Sequence, residues 1–147
     1  MIETDIKAQL ITDSVEIDAN IILGAIPASP GNILVIAPTE GVLTALENSA
    51  FSGKSVLITK QTYEYQDMPD RRHSLTITAI NTTYATAHDK IWKTYQKLVT
   101  DGNGYKVCNS TQMYFVAVQT PYFLKEDGGK FYFVLNLNVN APKEVFN

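Results

Sequence analysis

The stretch "KFYFVLNLNVN", residues 130–140, places Phe131, Phe133, Leu135, Leu137 and Val139 on every second position. That is the two-residue period of a β-strand with one buried face. The intervening positions are Lys130, Tyr132, Val134, Asn136, Asn138 and Asn140, so the second face carries one charge at its start and none afterwards. A sheet face turned to water usually carries Lys, Glu or Thr there. The strand therefore predicts one side packed on its own core and a second side kept for contact with something else.

Working outward, the helix that would cover the first side is "YATAHDKIWKTYQKLV", residues 84–99. Tyr84, Ala87, His88, Ile91, Tyr95, Leu98 and Val99 recur at three- and four-residue spacing and form one stripe, with Trp92 on its margin. Thr82 or Thr83 can cap its start, and Gly102 suits its stop. Before it, "HSLTITAI" (73–80) alternates, "DMPDRR" reads as a polar loop and "SVLITKQTYEYQ" (55–66) as a strand. After it come "MYFVAV" (113–118) as a strand, "TPYFLKEDGGK" as a connection, and a tight turn at Asp127-Gly128-Gly129. "NILVIA" (32–37) is a continuous apolar run, the pattern of a strand covered on both sides. Ile2, Ile6 and Leu10 predict a short first helix over 2–12, and "AIPASPGN" a turn. The pattern predicts an α+β fold: an antiparallel sheet of about four strands, one long amphipathic helix on one face, a short N-terminal helix and a β-hairpin or arm. The other sheet face is expected to be uncovered.

Composition sets the outer limits. The chain has 147 residues, 45% hydrophobic and 18% charged, with a net charge of −3 and one cysteine, which fits a single domain over 1–147. No basic cluster exceeds Arg71-Arg72, so a cationic surface for nucleic acid is missing. One cysteine excludes an intrachain disulfide. The apolar runs fall well short of the roughly 20 residues of a membrane span. The opening "MIETDIKAQL" has acids where a signal peptide has bases.

Residues for catalysis do not assemble. His73 and His88 sit on different elements without zinc-ligand spacing, and Cys108 has no histidine beside it in sequence. "DGNG" follows a helix instead of preceding one, so it does not cradle phosphate. "EDGG" lacks the acids of a calcium loop. The aromatic residues have no interleaved bases for stacking nucleic acid, and read as packing or protein contact. No catalytic residue, metal ligand or cofactor is expected.

The order of elements resembles the tail-terminator proteins of long-tailed phages, including the small minor capsid or tail-joining proteins of phages of Gram-positive bacteria. The likeness covers roughly residues 70–140. It rests on Leu75, Ile77, Tyr84, Ala87, Ile91, Leu98, Pro121, Phe123, Leu124, Asp127, Gly128, Tyr132, Asn136 and Val139. Many relatives have an Arg soon after the first central strand, where this chain has Asn81-Thr82-Thr83. The resemblance implies a structural virion protein, not an enzyme, that caps the tail tube as a hexameric ring at the head–tail junction after assembly in the host cytoplasm. Its implied partners are copies of itself, the major tail tube protein and a head-completion protein. DNA would only pass through the lumen, and no membrane is involved. The contact residues expected are Tyr132, Val134, Asn136, Asn138 and Asn140 on the second face, with Tyr63, Tyr65, Arg71 and Arg72 on a polar arm. The alternatives are a head-closure or connector component of the same particle, and a small ligand-binding module built around Tyr84, His88, Trp92 and Tyr114.

Overall fold

The computed structural model describes residues 2–39 and 70–142, with backbone alone at 70, 71 and 142. The last strand, β7 (Lys130–Pro142), is the spine of the sheet. It runs antiparallel to β3 (Asp70–Asn81) along the whole of that strand, from Asp70↔Pro142 to Asn81↔Phe131. Beyond β3 lies β2 (Ile33–Pro38), antiparallel, and beyond that β1 (Ile21–Leu23), which is parallel to β2.

The opposite flank of β7 is shared by two strands in succession. β5 (Thr111–Ala117) pairs with residues 137–140, and β6 (Tyr122–Asp127) with residues 130–134. Residues 119–121 bulge between them, and a second irregularity lies between Phe123 and Lys125. β4 (Tyr105–Cys108) forms a hairpin with β5 and ends the sheet. The expected Asp-Gly-Gly turn joins β6 to β7, with Gly128 and Gly129 both at positive φ, as a two-residue hairpin turn requires.

The α+β class stands, with more strands than the sequence predicts: seven among the described residues, one of them in parallel pairing. β1 and β4 are too short to show a period, and the two bulges hide β6. β3 begins at Asp70, inside the stretch 67–72 expected as a polar loop, so Asp70, Arg71 and Arg72 belong to the strand, and 67–69 lie outside the described residues. The strand expected at 55–66 and the short helical segment expected after Pro38 lie outside the described residues.

Both helices pack on one face. α1 (Ile2–Thr12) buries Ile2, Ile6 and Leu10, and α2 (Tyr84–Tyr95) buries Ala87 and Ile91. They meet Leu75, Ile77, Phe133, Leu135, Leu137, Val139 and Phe115 in one core. Each such side chain contributes about 1.5–3 kcal/mol on burial. α2 widens into a π-helical turn over Gln96–Thr100 that keeps Leu98 in the core. Thr94 is buried too, its hydroxyl donating to the Lys90 carbonyl at 2.8 Å. Tyr84, expected in the buried stripe, is 48% exposed at the helix start.

Candidate interaction face

The sheet face turned away from the helices is built by the even-numbered positions of β7 and β3. The register sets Ser74 opposite Asn138, Thr76 opposite Asn136, Thr78 opposite Val134 and Ile80 opposite Tyr132. Its two ends differ. Towards β2, Val35, Ile80 and Tyr132 are buried and pack on one another, with Ile22, Ile33 and Ala37 half-buried against them. Tyr132 and Val134 are only 6% and 5% exposed.

This corrects the expectation of a wholly uncovered face. β2 is packed on both sides, as its continuous apolar run predicts, and its Val35 carries that packing across to Ile80 and Tyr132. Tyr132 and Val134 are therefore core residues and not accessible contact residues.

The other end is polar and half-exposed. Ser74 Oγ donates to Asn138 Oδ1 at 3.0 Å, and Thr76 Oγ1 donates to Asn136 Oδ1 at 2.9 Å. Asn136 Nδ2 then donates to the Tyr122 hydroxyl at 3.2 Å. These bonds hold the amides flat along the sheet as cross-strand pairs. Asn140 is half-buried and Arg72 exposed at the same end. Arg71 belongs to β3, outside the described side chains, and Tyr63 and Tyr65 lie outside the described residues.

The face extends where the sequence reading does not follow it. Asn140 pairs with Tyr114, Asn138 with Val116, and Tyr114 with Tyr105 on β4. Tyr105 and Val107 are 58% and 55% exposed, Val116 is exposed, and the Tyr105 and Tyr114 rings lie 4.6 Å apart. The signal available in sequence was the pair of apolar residues at 105 and 107, which read as a strand only once β4 is known to pair with β5. The result is an uncharged strip of Asn138, Asn140, Tyr114, Val116, Tyr105 and Val107. Such a strip can bury surface against another protein at small desolvation cost, because it strips no ion of water.

The alternative pocket does not form. Tyr84, His88 and Trp92 do cluster: Tyr84 lies 5.0 Å from Phe133 and 5.5 Å from Phe123, and His88 5.9 Å from Trp92. Tyr114, however, is on the opposite face of the sheet, stacked on Tyr105. The concavity at Trp92 is lined by Asp89, Lys93, Tyr95, Gln96, Lys97 and Thr100, without Tyr84, His88 or Tyr114.

The titratable residues are placed for structure. His73 is on β3, with Nε2 3.9 Å from Oε1 of the buried Glu3. Cys108 is fully buried, and that burial pushes its thiol up to about 12, against a smaller opposing effect of Lys106. Among the described residues no group of three or more His, Cys, Asp or Glu could hold a metal ion, and no helix is long and apolar enough to cross a membrane. Comparison with protein-family models, with curated proteins and with solved structures finds no match to this chain.

Proposed function

We propose that this chain is a structural virion protein of a long-tailed phage, which closes the tail tube as a ring of identical subunits and offers that ring to the head-completion protein. The observation that carries the reading is the half-exposed end of the outer sheet face, where a hydroxyl–amide ladder, with Arg72 beside it, runs into the uncharged group of Tyr114, Val116, Tyr105 and Val107. A ring joins one patch to a different patch on the neighbour, and each patch must stay soluble before assembly. Amides and tyrosines meet both needs better than a large apolar surface does.

The order of elements supports the same reading. An alternating strand, a helix, a strand leading to Pro121-Tyr122-Phe123-Leu124, an Asp-Gly turn and a long closing strand follow one another as in tail terminators. The function asks for geometry and requires no bond to be made or broken. The decisive experiment adds the purified protein to tail tubes assembled from a major tail protein. Arrest of tube elongation, with the protein at one tube end by electron microscopy, is the expected result. Unchanged elongation would overturn the proposal, and binding to the portal side of heads would reassign the chain to head closure.

A further inference from the structure

The turn "DGNG", residues 101–104, joins the helical segment to β4 and holds the one Asn-Gly pair in the chain, Asn103-Gly104. Such a pair can modify itself, because glycine has no side chain to hinder its own backbone nitrogen. The Gly104 nitrogen attacks Cγ of Asn103. The new N–Cγ bond closes a succinimide ring, the Cγ–Nδ2 bond breaks, and ammonia leaves with the proton that the Gly104 nitrogen gives up. Water then opens the ring, and no oxidant or reductant is needed. Attack of water at Cγ restores the main chain with aspartate at 103. Attack at the other carbonyl leaves isoaspartate, whose main chain runs through Cβ and is longer by one methylene.

The fold acts on both ends of this chemistry. Asn103 is exposed to water and sits in the left-handed region, at φ 56° and ψ 40°, which asparagine tolerates. For an L-residue at that ψ, the next backbone nitrogen lies nearly opposite Cβ across the Cα–C bond. The Gly104 nitrogen is therefore turned away from Cγ whichever rotamer the side chain adopts. The turn is held in this form: the Tyr105 N–H donates to the Gly102 carbonyl, and Tyr105 then enters the sheet in register with Tyr114. Gly104 is buried and packed so closely on the Phe115 carbonyl and the Tyr114 ring that even a Cβ has no room. Nor is there room for the backbone to shift when a methylene is inserted just before it.

We propose that Asn103 is a covalent modification site that the fold keeps closed. It stays an asparagine while the turn is formed and cyclises when the turn opens. As isoaspartate it no longer lets β4 return to β5. Conversion would thus displace Tyr105 and Val107 from their places on the sheet. The inference stands apart from the virion reading.

The test incubates the whole chain at mildly alkaline pH, folded in one arm and in guanidinium chloride in the other. Residue 103 is followed by peptide mass mapping, with isoaspartate separated from aspartate. Conversion of the folded chain is expected to be roughly tenfold slower or more, because it waits for local opening. Chains converted in denaturant are then returned to native buffer. The isoaspartyl fraction should fail to recover hydrogen-exchange protection over residues 105–108. An Asn103→Asp variant, which has the new charge and no added methylene, should refold with the protection of the parent there. Equal conversion rates in the two arms would overturn the proposal. So would an isoaspartyl chain that regains the parent's protection, or an Asn103→Asp variant that loses as much as the isoaspartyl chain.

Discussion

At Gly104 the backbone sits at φ +90°, buried directly against β5. A Cβ built there would lie 2.7 Å from the Phe115 carbonyl oxygen and 3.0 Å from the Tyr114 ring, so neither backbone torsion nor space admits a side chain. Gly104→Ala should destabilise by about 2 kcal/mol or more, combining left-handed strain with an overpacked contact. Urea unfolding reads that value directly, and a loss below half of it would show that β4 and β5 shift apart freely. Four residues on, Cys108 makes the opposite case, a reactive group silenced by its surroundings. Its thiol, fully buried and raised to about 12, is protonated at neutral pH. It should label with a thiol reagent only as fast as the chain unfolds, while denatured protein labels at once. Fast labelling of the folded protein would mean that α1 or β4 opens locally.

Among the elements, the hydroxyl–amide ladder between β3 and β7 is the least expected. Asn136 both accepts from Thr76 and donates to Tyr122, so it ties β3, β7 and β6 together across the sheet. Asn136→Ala should cost about 1 kcal/mol, and Thr76→Val should add much less in that background than alone, because the two share one bond. Additive losses in a double-mutant cycle would mean that water replaces the bond at no cost. β7, β3 and α2 could be read in the sequence because each is long enough for its period to repeat, and β2 because its apolar run is continuous. β1 and β4 could not: Ile21–Leu23 and Tyr105–Cys108 span three and four residues, and their pairing is decided by partners elsewhere in the chain. The face of β7 was legible only as alternation. Asn136 and Asn138 stay half-exposed while Val134 is buried and Tyr132 sinks into a second apolar cluster, because Val35 arrives from β2 through a register no local pattern records.

For the whole molecule, the two sheet faces divide the work. The helix-covered face holds the main core, and the outer face is closed at the β2 end and half-exposed at the β4 end, where Arg72 is its one described charge beside an uncharged strip. In the ring we propose, that asymmetry would separate folding from assembly, so a substitution could damage one without the other. Val116 and Val107 are exposed, and their neighbours Asn138 and Tyr114 form the strip with them. Val107→Lys with Val116→Lys places two cations on that strip, where each can stay hydrated in the free chain. Surface changes of this kind alter stability by about 0.5 kcal/mol or less. In a contact between subunits the same ammonium groups would have to be stripped of water without a partner, which disfavours the assembled state far more. The double variant should therefore melt close to the parent temperature, remain a monomer by light scattering at concentrations where the parent assembles, and fail to arrest tail-tube growth. Normal assembly by the doubly charged chain would show that the strip faces solvent in the ring. The ring contacts would then have to be sought on another exposed apolar group among the described residues, around Tyr84, Phe123 and Leu124, where helix start and β6 meet.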